Sequence, residues 1–413
     1  MITEVTVIVQ KYGGSSLATA EHIKNVARRI ARVVDRGAQV VVVVSAMGDT
    51  TDHLIDLSRQ ISVNPDAREM DLLLSTGETV SVTLMAMALR EMGYQAISLT
   101  GAQAGIQTTS VFSKAHILGV NPERVMRELE QGKIVIVAGF QGISEDLDIT
   151  TLGRGGSDTT AVALAAALKV EQCEIYTDVE GVFTADPRVV PEARRLKEID
   201  YNEMLELASL GARVMHNRAV ELAAVYGIPV LVASSFVDKP GTLIHGDIPM
   251  EVREVRNKVS GIAHDRDVAK ITVVGVPDRP GVAASLFEPL AQSGLSVDTI
   301  VQNAGLDNHA DLTFTVSKGD LGRAMALVEN IAKDIGARGC VSAPGLAKVS
   351  IVGTGIQNAP GYAARMFRTL SDAGINIEMI TTSEIRITCV VSEARVEDAV
   401  RALHRAFELE KGE

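Results

Sequence analysis

Short runs of apolar, often β-branched residues alternate with longer stretches of helical periodicity over the first 245 residues. The strand-like runs are VTVIVQ (5–10), VVVVVSA (40–46), AISLT (96–100), IVIVAGF (134–140), CEIYTD (173–178) and IPVLVASS (228–235). Runs that are apolar on both faces are typical of parallel strands buried between helices. With helices such as 20–36 and 158–169, the pattern predicts a three-layer αβα domain, of the α/β class with a mainly parallel sheet, at 1–245.

An internal repeat follows a boundary at 238–258, where prolines, glycines and mixed charge cluster. VVGVPDRPGVAASLFEPLAQSGLSVDTI (273–300) aligns with IVGTGIQNAPGYAARMFRTLSDAGINIEMI (351–380). Each copy has the pattern of a strand, a Pro-Gly turn, an amphipathic helix, a glycine cap and a strand, followed by a further strand and helix. This predicts two ferredoxin-like βαββαβ modules at 267–343 and 344–413, after a linker at 246–266. We expect VSGIA (259–263) in that linker to be a strand of the second module.

Composition and charge exclude several classes of protein. A chain of 413 residues with 46% hydrophobic residues should form two or three globular domains. Its formal net charge of -12 argues against nucleic-acid binding. The three cysteines are far apart and show no zinc-binding spacing, so we expect reduced thiols and no structural metal. MITEVTVIVQ lacks the layout of a signal peptide and no apolar run reaches membrane-spanning length, so we expect a cytoplasmic protein without a membrane segment.

The stretch LGRGGSDTTAVALAAAL (152–168) places glycines, an arginine, a serine and an aspartate between a strand and an apolar helix. Glycines expose backbone N–H groups, a helix N-terminus attracts anions, and the guanidinium of Arg154 fits a carboxylate. In the alternative interpretation, Ser157 or Asp158 only caps the helix. An arginine between glycines at the carboxyl end of a sheet favours a ligand site.

A similar loop follows the first strand, in VIVQKYGGSSLATAEHI (7–23). Lys11 and the backbone N–H groups of Gly13 and Gly14 precede another helix, which predicts a phosphate site. The sequence lacks the GxxxxGK[ST] spacing and has no GxGxxG after a strand, which disfavours P-loop and dinucleotide-binding proteins. A tight turn with a helix cap is the plainer alternative.

Six ordered motifs resemble those of aspartate kinases of the amino-acid kinase superfamily: KYGGSS, SAMGDTTD, STGE, TTLGRGGSDTTA, YTDVEGVFTADPR and LASLGARVMH. The repeat is similar to the paired ACT domains of these enzymes, and the resemblance covers practically the whole chain. It implies ATP-dependent phosphorylation of the β-carboxylate of L-aspartate to 4-phospho-L-aspartate, the first step toward lysine, threonine and methionine. We expect the monofunctional form, without a dehydrogenase half.

The resemblance also implies residues that act on the substrate. Lys11 would face the transferred phosphate, and Asp158 would orient Lys11 and help to organise the magnesium–phosphate cluster. Arg154 would bind the α-carboxylate of aspartate in a bidentate manner, and Glu78 would bind its α-ammonium. Further substrate contacts would come from Ser45, Thr51, Gly155, Gly156 and Ser157. Since STGE (75–78) also fits a capping box, a helix cap remains the alternative for Glu78.

The nucleotide is expected to be ATP, with Mg²⁺ held mainly by its phosphates. The implied contacts are Lys11, Tyr12, Gly13, Gly14, Thr177, Asp178, Phe183, Asp186, Arg188 and Arg213. Relatives often carry tyrosine in place of Phe183 and lysine in place of Arg213, which leaves the roles of these two side chains open. A plain turn is the alternative for the Asp186-Pro187 pair.

Paired ACT modules usually bind an amino acid, which implies feedback inhibition by threonine, lysine or both. The candidate effector residues are Asp278, Gln302, Asn376 and Ile377. Turn capping is the alternative for Asp278 and Asn376. ACT modules commonly pair across chains, so we expect a homo-oligomer, and Met250 is a candidate internal start for a separate regulatory subunit.

Two other functions remain open at this point. One is a kinase of the same fold that acts on glutamate, N-acetylglutamate or a nucleotide, and Arg154 with Glu78 disfavours it. The other is a non-catalytic ACT sensor of amino acids, which the presence of Lys11, Arg154 and Asp158 disfavours.

Overall fold

The computed structural model describes residues 6–211, 214–246, 259–304, 308–356 and 360–411. They divide into two compact units. Unit 1 contains the described residues up to Phe183, Arg195–Ser209 and those from 214 to 246. Unit 2 contains Thr184–Arg194, residues 210–211 and the described residues from 259 onwards. Met250, the candidate internal start, lies outside the described residues.

Unit 1 consists of short strands that alternate with helices. The strands are β1 (Val7–Tyr12), β2 (Gln39–Val44), β3 (Ala96–Leu99), β4 (Ile106–Thr108), β5 (Ile117–Val120), β6 (Ile134–Ala138), β7 (Gln141–Ile143), β8 (Ile149–Thr151), β9 (Cys173–Thr177), β10 (Glu198–Asp200), β11 (Val230–Ser234) and β12 (Thr242–His245). The α-helices are α1 (Ala20–Val34), α2 (Thr50–Ile61), α3 (Ala67–Glu91), α4 (Glu123–Glu130), α5 (Gly156–Leu168), α6 (Tyr201–Ser209) and α7 (Asn217–Tyr226).

The main sheet of unit 1 has eight strands in the order β10-β12-β11-β9-β1-β2-β6-β3. All its neighbouring strands are parallel except β11 and β12. The run from Val40 to Val44 is buried throughout, as the double-sided apolar pattern predicts. A smaller sheet has the order β5-β4-β7-β8. The predicted α/β class with a mainly parallel sheet is confirmed.

Helix α3 differs most from the sequence expectation. It begins after Asp66, whose carboxylate accepts hydrogen bonds from the backbone N–H groups of Arg68 and Glu69. The STGE motif (75–78) therefore lies inside the helix, and the capping-box alternative for Glu78 is wrong. Contrary to expectation, α3 is long and apolar enough to cross a membrane, alone among the described helices. Half of its apolar stretch is buried inside the structure, which is typical of a core helix of a globular protein.

Unit 2 contains both sequence repeats. Its strands are β13 (Gly261–Pro277), β14 (Ile300–Ala304), β15 (His309–Val316), β16 (Gly339–Val352), β17 (Met379–Thr382) and β18 (Arg386–Ser392). Its helices are α8 (Val282–Gln292), α9 (Leu321–Ile335), α10 (Tyr362–Asp372) and α11 (Val396–Ala406). Gly281 and Gly361 precede the first helix of each repeat with φ of 94° and 106°. A side chain rarely adopts this conformation, which explains the shared glycine of the Pro-Gly turns.

The two modules share one six-stranded antiparallel sheet in the order β14-β15-β13-β16-β18-β17. The long strands β13 and β16 run through both modules. Gly261, Ile262 and Ala263 in the VSGIA segment pair with Val352, Ile351 and Ser350 of the second repeat.

One segment from the middle of the chain also belongs to unit 2. Thr184–Arg194 places Ala185, Val189 and Val190 in the same buried core as the second module. Thr184 O accepts a hydrogen bond from Ile262 N at 2.8 Å. This stretch is therefore a structural part of unit 2, although it lies between two segments of unit 1 in sequence.

Candidate active site

The central feature of unit 1 is a buried ion pair at the carboxyl end of β1. Lys11 Nζ lies 2.6 Å from Asp158 Oδ1, and the two side chains are only 10% and 11% exposed. A buried ammonium is costly without a partner, so the pair fixes the lysine at the sheet edge. Helix α5 is capped by Gly155, with φ of 68° and no side-chain cap. Ser157 and Asp158 lie inside its first turn, so the capping interpretation is wrong.

The loops that follow β1 and β2 pack backbone against backbone. Gly48 N donates to Gly14 O at 3.0 Å, and Ser45 N donates to Tyr12 O at 3.1 Å. A Cβ at Gly14 would lie 2.8 Å from Ala46 O, which is too close for any side chain. Gly14 is therefore required by this close approach, whereas a Cβ at Gly13 would meet no atom closer than 3.5 Å. The packing places Ser45 next to Tyr12, the residue after Lys11. Thr51 lies in the first turn of α2, which follows the same loop.

Tyr12 does not present its side chain to this site. It is fully buried and stacks on Tyr176, with 5.0 Å between the ring centroids. Its hydroxyl donates to Gln10 Oε1 at 3.1 Å. Because the Tyr12 side chain is buried, it does not support the predicted contact with the nucleotide.

Glu78 is a buried carboxyl group on α3 that faces the loop after β2. It is 3% exposed, and its Oε1 accepts a hydrogen bond from Ala46 N at 3.1 Å. Its Oε2 has no hydrogen-bond partner among the described residues. Burial raises the pKa of Glu78 to about 7. A buried carboxyl group with one unsatisfied oxygen is suited to a cationic ligand.

The LGRGGS loop is held by close contacts that only glycine allows. A Cβ on Gly155 would lie 2.1 Å from the Cβ of His216, and one on Gly139 would lie 2.7 Å from Ser157 Oγ. Arg154, between these fixed positions, is exposed. The sequence analysis missed His216 and Gly139. The signal for Gly139 was its position directly after the buried strand IVIVA, at the same edge of the sheet.

The ends of β9 and β11 lie next to the Lys11 loop. Thr177 ends β9 and its hydroxyl donates to Asp178 Oδ1 at 3.0 Å. Ser235 N donates to Thr177 O at 2.9 Å, and Ser235 Oγ lies 2.7 Å from Ser16 Oγ. These bonds connect the predicted nucleotide residues of β9 to the loop after β1. Ser16 and Ser235 were not predicted.

The remaining nucleotide candidates are divided between the two units. Phe183 is in unit 1, where it forms a β-bridge with Arg195, whereas Asp186 and Arg188 are in unit 2. Arg188 Nη2 lies 2.8 Å from Asp186 Oδ2 and lowers the pKa of that carboxyl group. Asp186 O also accepts hydrogen bonds from the next turn of backbone, so a turn is present here. Nucleotide binding by these residues stays a prediction, and Arg213 lies outside the described residues.

The effector candidates do not form one cluster within the chain. Asp278 and Gln302 are exposed, and Gln302 lies on the edge strand β14. Asn376, whose Nδ2 donates to Glu378 Oε1 at 3.4 Å, and the half-buried Ile377 precede β17 at the opposite edge. Five strand spacings, about 24 Å in all, separate these edges. One amino acid cannot contact both Gln302 and Asn376 within a single chain.

The site fits a nucleotide-bound cation better than a protein-held one. Among the described residues, no group of three or more His, Cys, Asp or Glu side chains could hold a metal ion. Asp158 is a carboxylate at the predicted phosphate position, but Lys11 already pairs with it. This donor set is suited to Mg²⁺ that is carried by phosphate oxygens.

Comparisons with known proteins agree with this architecture. The amino acid kinase family matches residues 6–234, and the ACT domain matches residues 271–330 and 349–407. An aspartokinase of Bacillus sp. (strain MGA3) is 52% identical over 402 residues, which are 97% of each chain. E. coli aspartokinase III in complex with aspartate and ADP has a TM-score of 0.80 and 27% identity, and covers 97% of this chain and 99% of that one. Its complex with lysine and aspartate has a TM-score of 0.74 and 26% identity, with the same coverage. The chain therefore belongs to the aspartokinase family, the aspartate kinases in which an amino acid kinase domain precedes two ACT domains.

Proposed function

We propose that the enzyme transfers the γ-phosphoryl group of ATP to the β-carboxylate of L-aspartate, forming 4-phospho-L-aspartate and ADP. This reaction would be the first step toward lysine, threonine and methionine, in the cytoplasm. The observation that carries the proposal is the Lys11–Asp158 ion pair beside the buried Glu78 and the Arg154 loop. Arg154 and Glu78 offer charges of both signs to an amino acid, and Lys11 offers a cation to a phosphate.

The chemistry needs positioning and neutralisation of charge, and no strong base. The β-carboxylate of aspartate is already ionised at neutral pH, so it can attack without a proton acceptor. In this proposal Lys11 and the N–H group of Gly14 face the transferred phosphoryl group, and Asp158 orients the lysine. The N–H group of Gly13, also predicted as a donor, instead donates to Tyr176 O at 3.2 Å. Mg²⁺ bound to the nucleotide phosphates would supply further neutralisation. Accordingly, no histidine has a role in the transfer.

Substrate selection follows from two opposite charges at fixed positions. Arg154 binds the α-carboxylate of aspartate through two charge-assisted hydrogen bonds, and Glu78 binds the α-ammonium. N-acetylglutamate lacks that ammonium, and a nucleotide lacks both groups. Glutamate retains both but places its side-chain carboxylate one methylene farther away. The geometry therefore supports aspartate over the alternative acceptors.

Regulation by an end-product amino acid is part of the same proposal. E. coli aspartokinase III has been crystallised with lysine, and the ACT modules here carry candidate residues for threonine, lysine or both. Because Gln302 and Asn376 lie at opposite edges of the sheet, a complete effector site needs edges from two chains. This supports a homo-oligomer. A separate regulatory subunit that starts at Met250 is a further proposal.

An assay of acyl phosphate tests the function. The purified enzyme, with ATP and Mg²⁺, is given aspartate, glutamate or N-acetylglutamate, and hydroxylamine traps the product as a hydroxamate. We expect product with aspartate only. A product with glutamate or N-acetylglutamate alone would assign a different acceptor, and no ATP consumption with any of them would indicate a non-catalytic sensor.

The Arg154→Ala variant tests how aspartate is bound. Two charge-assisted bonds of roughly 1.5–3 kcal/mol each are lost, so kcat/KM for aspartate should fall by about a hundredfold or more. The KM for ATP should stay close to that of the parent. Arg59→Ala, a change of an exposed arginine on α2, is the matched control and should leave both parameters unchanged. Parent-like aspartate kinetics in Arg154→Ala would reject this binding role.

A further inference from the structure

We propose that Asp71 is a positioning residue for aspartate binding, which acts by holding the backbone that presents Arg154. The inference rests on the proposed function, because it concerns how the substrate arginine is placed. Asp71 lies on α3, seven residues before Glu78, and it is completely buried.

The carboxylate of Asp71 collects hydrogen bonds from two chain segments that are far apart in sequence. Ser113 N lies 3.0 and 2.9 Å from its two oxygens, and Thr151 N donates at 2.7 Å. The hydroxyl of Thr151 donates at 2.8 Å. All these donors are neutral N–H and O–H groups of the chain. Such a site binds the two segments to each other through one buried group.

Both segments adjoin the substrate loop. Thr151 ends β8 and is followed by Leu152, Gly153 and Arg154. Ser113 has a φ of 66°, an unfavourable conformation for a residue other than glycine. A Cβ added to Gly153 would lie 3.0 Å from Ser113 O, so the loop packs directly against this strained residue. Hydrogen bonds to Asp71 hold the strained conformation in place.

A second side chain holds the same two segments from another helix. Arg218 on α7 donates to Leu152 O at 2.5 Å and to Ala115 O at 3.0 Å. Asp71 thus accepts from the backbone N–H groups, and Arg218 donates to the carbonyl groups. Among the described residues, the exposed Arg154 side chain has no hydrogen-bond or ion-pair partner, so its position depends on the backbone that these two anchors hold.

The experiment compares Asp71→Asn, Arg154→Ala and the double variant. Asparagine keeps the shape but has a single acceptor oxygen, and its NH₂ group would face an N–H donor. We expect kcat/KM for aspartate to fall at least about tenfold, with the KM for ATP within about twofold of the parent. In the Arg154→Ala background the same change should have less than about a twofold effect, because the residue through which Asp71 acts is gone. An effect of equal size in both backgrounds would show a purely structural role and overturn the inference.

Three further variants keep the test decisive if Asp71→Asn folds poorly. Thr151→Val removes one hydroxyl donor and should shift aspartate kinetics in the same direction, whereas Thr151→Ser should behave as the parent. Leu89→Ala, at the other end of α3, should lower the thermal midpoint without changing the KM for aspartate. A parent inactive toward aspartate would overturn the proposed function together with the inference. An active parent with unchanged aspartate kinetics in Asp71→Asn and Thr151→Val would overturn the inference alone.

Discussion

Glu78 gives this enzyme a titratable group in the physiological range. Burial raises its pKa to about 7, so the site without substrate holds a mixture of protonated and ionised carboxyl groups at neutral pH. Only the ionised form attracts the α-ammonium of aspartate. Protonation below the pKa therefore removes binding, and ionisation above it restores binding.

We expect kcat/KM for aspartate to fall about tenfold per pH unit below about pH 7 and to level off above it. The measurement is a pH profile of aspartate kinetics at saturating ATP. Glu78→Gln should remove this acidic limb and lower the plateau. Glu128→Gln, which changes a buried glutamate on α4 that is ion-paired with Lys133, is the matched control and should keep the parent profile. The same limb in Glu78→Gln would show that another group titrates.

The sequence predicted the charged residues of the site better than it predicted the residues that hold the backbone of the site in place. Lys11 and Arg154 were found because they lie beside glycines at the ends of apolar strands, where α/β proteins place their ligands. The roles of Glu78 and Asp158 came only from the resemblance to aspartate kinases. Asp71, Arg218 and Ser235 carry no such local signal. Each bonds to residues more than 40 positions away, so only the folded chain shows what it contacts.

At the scale of elements, the packing of α3 on the loop after β2 places Glu78. Gly77 allows this contact, since a Cβ there would lie 2.9 Å from the Cβ of Ala46. The motif STGE looked like a helix start because its spacing fits a capping box. The true start is nine residues earlier, at the Asp66 cap, and the serine and threonine are tolerated because tertiary packing overrides local preference.

Gly77→Ala tests this contact. Alanine within a helix usually stabilises it by about 1 kcal/mol relative to glycine. Here the added methyl group should push α3 away from Ala46, lower the thermal midpoint and raise the KM for aspartate. Gly322→Ala in α9 is the matched control, because a Cβ added there would meet no neighbouring atom within 4 Å. This variant should leave aspartate kinetics unchanged without loss of thermal stability. A stabilised Gly77→Ala enzyme with parent kinetics would contradict the proposed packing role.

The sequence predicted the sheets and repeats well because their apolar periodicity is strong. It could not predict that Thr184–Arg194 belongs to unit 2. That segment has too few apolar residues to identify a core, and Ala185, Val189 and Val190 are buried only because the second module supplies their partners. The proline after Asp186 predicted a turn at this position. The unit to which the turn belongs depends on tertiary contacts, which the sequence does not show.

At the scale of the whole molecule, the candidate catalytic residues Lys11 and Asp158 lie in unit 1 and the candidate effector residues lie in unit 2. An effector can inhibit only if it binds one conformation of the enzyme more tightly than another, and such coupling typically amounts to about 1–3 kcal/mol. Asp278 is the exposed residue best placed to accept an effector ammonium, since it follows β13 at the Pro-Gly turn of the first repeat. Its backbone N–H already bonds to Asn308 O at 2.8 Å, so the turn does not depend on its side chain.

Asp278→Ala should therefore separate regulation from catalysis. Loss of a charge-assisted bond of roughly 1.5–3 kcal/mol should weaken effector binding by more than about tenfold, while kcat and the thermal midpoint stay those of the parent. The measurement is the concentration of threonine, lysine or both that halves activity, together with uninhibited kinetics. Asp334→Ala, a change of an exposed aspartate on α9, is the matched control and should retain inhibition. Undiminished inhibition in Asp278→Ala, or an equal loss of uninhibited activity, would place the effector site elsewhere and leave Asp278 as a turn residue.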